Sequence, residues 1–244
     1  MATYNGEKYI SKQIESILPQ LYVDDEVIVS DNYSTDNTIN IIKSYNDKRI
    51  KIYIFKRNTT KSYWNKYYNI TSNFENAINK SSGDIIILCD QDDIWDKDKI
   101  FILKKDLERN DCIFSNYGII DENDNIINHK RIKKNPIKNP LIVILFPPFI
   151  GCTMAINRSL LELCLPFPQR LLLHDIYIGL ISYLKKNIYF QEKVLTFYRR
   201  HDSNVSTTTG KTKNDLFRII MWRMRLYFMV FFAILRIKKN KKHE

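Results

Sequence analysis

Apolar residues recur at Ile10, Ile14, Ile17, Leu18 and Leu21. Steps of three and four place them on one face of a helix, predicted over about 7–18. "EVIVSDN" (Glu26–Asn32) is a short apolar run ending in polar residues, a strand. "STDNTINIIKSY" opens with residues that cap helix N-termini and continues with Ile39, Ile42 and Tyr45 at helical spacing. "RIKIYIF" (Arg49–Phe55) alternates, which predicts a strand with one wetter face. "TSNFENAINKSSGD" reads as a helix closing near Ser82-Gly83, "IIILC" as a strand, "DKDKIFILKKDLE" as a helix and "DCIFSN" as a strand.

The order β-α-β-α-β-α-β through Asn116 predicts right-handed crossovers and an α/β fold with a mainly parallel sheet. Beyond it the pattern changes. "GIIDENDNII" reads as a turn or hairpin, Asn128–Pro140 as a basic loop and "FIGCTMAIN" as a strand. "LHDIYIGLISYLKK" reads as a helix, and "NIYFQEKVLTFYRRH" holds one or two strands, so this half is α+β.

Ile85–Leu88 is apolar at every position, as suits a strand buried on both faces. Parallel α/β sheets bind ligands beyond the carboxyl ends of their strands. Asp90, Asp92 and Asp93 are therefore expected in a cleft. Alternation sets Asp90 and Asp92 to one side and Asp93 to the other. Carboxylates that close repel unless a cation sits among them. Oxygen ligands without an imidazole pair nearby favour a hard ion, Mg²⁺ or Mn²⁺. Mg²⁺ leaves most of its positions to water and phosphate oxygens, so a phosphate-bearing substrate follows.

Rival readings fit less well. An EF-hand beginning at Asp90 needs Gly at 95 and Glu at 101, where the chain has Trp95 and Phe101. An aspartyl-phosphate phosphatase carries its D-x-D on the first strand and wants Thr or Val where Ile94 stands. A solvated loop ahead of a helix is the plain alternative, and for Asp96 and Asp98 the favoured one.

Composition changes the picture in two places. Four cysteines, at 89, 112, 152 and 164, form no C-x-x-C pair and stand at no zinc spacing, which predicts free thiols in a reducing compartment. No basic and apolar leader opens the sequence, so a cytoplasmic location is expected. The net charge of +11 is uneven: residues 210–244 hold ten Lys or Arg against two acidic residues, and the rest carries only +3. The body is not a nucleic-acid-binding surface.

"ATYNGEKYI", "IVSDNYSTDNT" and "LCDQDDIW" together resemble the nucleotide-binding half of family 2 glycosyltransferases with the GT-A fold. "HDIYIG" and "YRRHDSNVS" are similar to later segments of rhamnosyltransferase-like members. The resemblance covers residues 2–206 and implies a Rossmann-like sheet flanked by helices, with a smaller acceptor-side half. It implies an inverting, metal-dependent transfer from a UDP- or dTDP-sugar to a glycan or lipid-linked acceptor. Thr3 and Tyr4 match the base-holding end of the first strand, and Asp31 the aspartate that reads the pyrimidine. Asp90 and Asp92 match the D-x-D pair on ribose and metal. Asp175, preceded by His174, matches the catalytic base. Arg200 and His201 match a segment that closes on the diphosphate or completes the metal shell.

Such roles suit the chemistry. A cation beside the leaving diphosphate stabilises its charge, and a carboxylate takes the acceptor's proton. Alternatives remain at single residues. Asp31 also suits a turn, Asp36 suits helix capping, Tyr4 suits packing, Gly151 suits a turn, and His201 also suits a charged surface. The resembled family has a full apolar strand where this chain has only Met1 and Ala2; a start further upstream, a trimmed or damaged copy and a short stub that suffices are the alternatives. A non-catalytic remnant that binds nucleotide or a partner is the second reading of the whole.

Leu226–Leu235 is ten apolar residues in a row between basic flanks. A membrane span needs about twenty. An interfacial helix on anionic lipid is expected, with a terminal helix packed on the body or on a second subunit as the alternative. The expected division is 1–116 for the nucleotide-sugar half, 117–209 for the acceptor half and 210–244 for the membrane-associating tail.

Overall fold

The computed structural model describes residues 1–56, 64–169, 171–202, 204 and 216–240. β1 (Ala2–Thr3), β2 (Val27–Asp31) and β3 (Ile50–Ile54) form a parallel sheet in the order β1-β2-β3. α1 (Ile10–Ile17) and α2 (Thr38–Ser44) connect them. The helical spacing of Ile10, Ile14 and Ile17 buries all three against Val27, Val29 and Ile42. α3 (Asn65–Lys80) leads to β4 (Ile85–Ile87). The Ala2 N–H reaches the Cys89 carbonyl at 3.4 Å, which sets the end of β4 beside β1.

β1 holds only Ala2 and Thr3. Beside it lies a cavity of about 170 Å³ lined by Met1, Val27, Ile28, Phe74 and Ile86. The Met1 ammonium donates to the Ile28 carbonyl at 2.8 Å, and burial lowers its pKa.

The second sheet departs from the parallel expectation. It contains β5 (Ile94–Trp95), β6 (Cys112–Ile120), β7 (Ile126–Asn128), β8 (Met154–Asn157) and β9 (Ile188–Arg199). The order is β4-β8-β6-β9-β5, with β7 also on β6. Only β6–β9 is parallel here; β8 runs antiparallel to both β4 and β6, and β5 to β9. Cys112 to Asn116 are all buried, so β6 needs a partner on each edge and takes both from later in the chain. The fold is therefore α/β with a mixed sheet. The segment 187–201 gives one strand, broken in register where Ser115 pairs with Gln191 and Asn116 with Val194.

α4 (Lys99–Leu107) matches its prediction, while α5 (Pro140–Leu145) and α6 (Arg158–Cys164) were not foreseen. α7 (His174–Leu184) crosses the main core, where the Phe149 ring fills the space a Gly179 side chain would need, 2.2 Å from a Cβ there. All four cysteines are free and buried.

α8 (Leu216–Asn240) buries Leu226, Met229 and Ala233 against the body and leaves Tyr227, Phe228, Phe231, Phe232 and Leu235 exposed. It is a packed terminal helix with a second apolar face turned outward. Residues 210–215 and 241–244 of the expected tail lie outside the described residues. Among the described residues no helix is long and apolar enough to cross a membrane.

Candidate active site

Three strand ends and the start of α7 build the site. Asp31 closes β2 and is 1% exposed. Its Oδ1 accepts from Thr3 Oγ1 at 2.8 Å and Ser34 Oγ at 2.6 Å, and its Oδ2 accepts from the Ser34 N–H at 2.8 Å. The carboxylate thus orders the loop after β2 and keeps one Oδ2 lone pair for a ligand. Thr3 is buried beneath it, while Tyr4 is 39% exposed at the rim. Asp36 stands one residue before the N-cap of α2, Asn37, where its carboxylate accepts from the Thr38 N–H at 3.0 Å and, by its other oxygen, from the Glu7 N–H at 3.0 Å.

Gln91 is a site residue that the sequence reading passed over. Its Oε1 accepts from the Tyr4 N–H at 2.7 Å and its Nε2 donates to the Tyr4 carbonyl at 3.1 Å. One amide so clasps the first-strand loop to the aspartate loop. Gly6 permits the fit, since a Cβ there would stand 2.6 Å from the Gln91 amide.

The three aspartates do not divide as alternation predicts: residues 90–93 leave the strand in a bend, and Asp90 and Asp93 bring carboxylate oxygens within 4.8 Å of each other. Asp93 is fully buried and accepts from the Arg199 N–H at 3.0 Å, while Asp90 and Asp92 are half-buried along the cleft. Burial, then Asp92, pushes the Asp93 carboxyl up to about 7. Burial, then the charges of Asp93, Asp92 and Asp175, raises the Asp90 carboxyl well above the usual range. Asp92 Oδ2 lies 2.8 Å from His201 Nε2, and the Asn204 amide nitrogen lies 3.1 Å from the same ring atom. His201 also stacks at 4.8 Å on Tyr9.

Arg199, not Arg200, carries the structural load of "YRRH". It is fully buried, donates from Nε to the Asp92 carbonyl at 2.8 Å and from Nη1 to the Asp121 carbonyl at 3.0 Å, and pairs with Asp124. Its guanidinium lies 4.8 Å from the Tyr9 ring. Arg200 is tied to β6 by its N–H on the Ile120 carbonyl at 2.8 Å, with its guanidinium 5.2 Å from the Tyr198 ring.

On the acceptor side, Asp175 sits in the first turn of α7. Its Oδ2 accepts from the Gly151 N–H at 3.0 Å and its Oδ1 from the Ile176 N–H at 2.8 Å. A Cβ on Gly151 would lie 3.3 Å from His174 Nε2, so glycine permits this approach. His174 is buried, stacked on Phe74 at 4.2 Å, and burial lowers its pKa, which keeps the ring neutral. Behind the site the buried Lys99 ammonium donates to the Cys152 carbonyl at 2.7 Å and Thr196 Oγ1 at 2.8 Å. It thereby pins the turn that holds Gly151.

The donor set suits a hard divalent cation. Asp90, Asp93 and Cys152 bring ligand atoms within 4.8 Å of one another. Burial keeps the Cys152 thiol protonated, which makes it a poor ligand. The expected set of Asp90, Asp92 and His201 is not the one brought together among the described residues: Asp92 pairs with His201, while Asp90 lies with Asp93.

The family model described as glycosyl transferase family 2 matches residues 1–164. The chain is 31% identical over 220 residues to the dTDP-rhamnosyl transferase RfbG of Shigella flexneri, covering 84% of this chain and 72% of that protein. It is 29% identical over 253 residues to the UDP-Glc:alpha-D-GlcNAc-diphosphoundecaprenol beta-1,3-glucosyltransferase WfgD of Escherichia coli, covering 98% and 93%. Among solved structures it is similar to S. aureus TarS 1-349 in complex with UDP-GlcNAc, with a TM-score of 0.66, 18% identity, and 96% and 70% of the two chains covered. Glucosyl-3-phosphoglycerate synthase from Mycobacterium tuberculosis, in complex with Mn²⁺, UDP-Glc and phosphoglyceric acid, gives 0.57 at 20% identity, covering 82% and 70%. At these identities the structures speak for the fold, which is GT-A-like. The chain belongs to glycosyl transferase family 2. It moves a sugar from a nucleoside-diphosphate donor to a glycan or lipid acceptor.

Proposed function

We propose that the chain transfers a hexosyl or rhamnosyl unit from a UDP- or dTDP-sugar, with inversion, to a glycan or lipid-linked acceptor of cell-surface polysaccharide synthesis. The observation that carries this reading is the convergence of Asp175 with Asp90, Asp92 and Asp93 in one electrostatic neighbourhood. The names of RfbG and WfgD support both nucleotides and a lipid-linked acceptor.

Asp31, through its remaining lone pair, and Tyr4 hold the base. Asp90 and Asp92, with His201 beside Asp92, would hold Mg²⁺ or Mn²⁺, which would supply positive charge against the departing diphosphate. Arg200 adds a second cation there. As the acceptor oxygen bonds to the anomeric carbon, the bond from that carbon to the diphosphate breaks and Asp175 takes the hydroxyl proton. The Gly151 N–H and the first turn of α7 fix the Asp175 carboxylate for that task. α8 rests on the cytoplasmic face of the membrane, near lipid-linked acceptor.

Thermal unfolding with UDP, dTDP, GDP and ADP, each with and without Mn²⁺, tests the donor site. A ligand held only by the folded state raises its stability. The expected result is a Mn²⁺-dependent rise with UDP or dTDP that vanishes in Asp92→Ala. A folded chain that no nucleotide stabilises overturns the proposal.

A further inference from the structure

The apolar face of α8 does not stand alone. At 100° per residue, Ile234, Tyr227, Ile220, Phe231, Met224, Leu235, Phe228 and Phe232 span an exposed arc of roughly 160°. Arg223 marks one rim of that arc, and Arg225 and Arg236 mark the other. Each arginine is fastened to the body. Arg223 Nη1 donates to the Leu145 carbonyl at 2.6 Å, Arg225 Nη1 to Tyr68 Oη at 2.5 Å and Arg236 Nη1 to the Leu165 carbonyl at 2.9 Å.

At the Arg223 rim stands α5. The Arg223 guanidinium lies 4.6 Å from the Phe146 ring, directly after that helix. α5 anchors itself by Val143, which is fully buried, yet Leu141 is 69% and Phe146 60% exposed. An isolated exposed leucine needs no account, but here the exposed residues of two elements meet across a shared arginine.

We propose that α5 and α8 form one composite face that docks on an anionic lipid bilayer. This rests on the membrane placement of α8 given above and extends it to α5, which lies well before α8 in the chain. Charge argues for the occupant. Lys238 and Lys239 are exposed at the end of α8, and Lys130, Lys133, Lys134 and Lys138 are exposed in the loop that leads to α5. An apolar face with basic flanks at both ends matches acyl chains bordered by anionic headgroups. Because three arginines bind α8 to the body, the face docks as a rigid surface. α7, which starts with His174 and Asp175, packs beneath α8, so docking fixes the height of the proposed base above the lipid.

The test is co-sedimentation of the full chain with phosphatidylcholine vesicles, with and without roughly a third phosphatidylglycerol. Two double variants are compared: Leu141→Ser with Phe146→Ser on α5, and Phe228→Ser with Phe232→Ser on α8. Near-ultraviolet circular dichroism confirms that each is folded. The expected result is binding to anionic vesicles, weakened roughly tenfold or more by either variant. Loss in the α8 variant alone overturns the composite face and leaves the α8 placement standing. Failure of the unaltered chain to bind overturns both. Self-association that either variant abolishes, without vesicle binding, assigns the face to a second copy and overturns the proposal.

Discussion

β2 and β4 flank the short β1, and each is followed or closed by aspartate, yet their carboxylates live in opposite surroundings. Asp31 receives three donors from Thr3 and Ser34. Asp90 faces Asp93, Asp92 and Asp175, whose charges add to burial in raising its pKa. The first arrangement is largely satisfied by the protein itself and orders a loop. The second is a concentration of negative charge that a divalent cation would complete. The difference is between a carboxylate compensated by the protein's own donors and one held in a field of like charge.

The largest effect expected is at Asp175. Asp175→Asn should lower kcat by roughly 10²–10⁴-fold, since it removes the proton acceptor, and should leave the Mn²⁺-dependent nucleotide shift intact. Loss of that shift as well would mean that Asp175 holds the cleft together rather than accepting the proton. The next test exchanges the two strand ends. Asp31→Ala strands the buried Thr3 hydroxyl and loosens Ser34, and should cost about 1–3 kcal/mol of stability in denaturant titration. Asp90→Asn should leave the metal-free chain as stable or raise its melting temperature, because it relieves repulsion. Equal destabilisation by both would erase the contrast.

Lys99 sharpens the picture through pH. Burial lowers its pKa from 10.5 to about 8. Between those values the folded chain has shed the proton and the unfolded chain has not, so stability should rise from pH 8 towards 10.5. In Lys99→Met that rise should flatten; melting curves across this range decide it.

The smallest effect lies far from the cleft. Arg49 hydrogen bonds hold the Asp47 carboxyl down at about 2 against an ordinary 3.8. Its contribution is present above pH 4 and is lost as pH falls through 2. Asp47→Asn should change acid unfolding only slightly, and less in high salt, as for any exposed pair. A large change there would mean that compensated carboxylates matter everywhere, not only at Asp31.

Local pattern made much of this legible. The spacing of Ile10, Ile14 and Ile17 located α1, and the apolar run before Asp90 located β4. Asp93 does turn inward to the Arg199 N–H, but beside Asp90 rather than opposite it, because the chain bends at 91–92 and strand alternation no longer holds. What escaped depends on partners distant in sequence. Gln91 is one polar residue between aspartates until the Tyr4 backbone lies against it. Arg199 looked like the lesser half of a pair until its contacts with Asp92, Asp121 and Asp124 were seen. β8 reads as any short strand, and nothing local records that it inserts between β4 and β6. α5 and α6 are too short for helical periodicity to separate them from loop.

The placement of β6 also orders events during synthesis. Cys112 pairs with Ile188, and Phe114 with Phe190, so the central strand of the second sheet lacks one edge until β9 exists. β4 likewise waits for β8. A chain leaving the ribosome amino end first can assemble β1, β2 and β3 from near neighbours, because their pairings span short stretches. The strands beside Asp90, Asp92 and Asp93 stay open far longer. Translation must pass almost to α8 before they close, and in that interval the apolar edges of β4 and β6 are the surfaces a chaperone would meet.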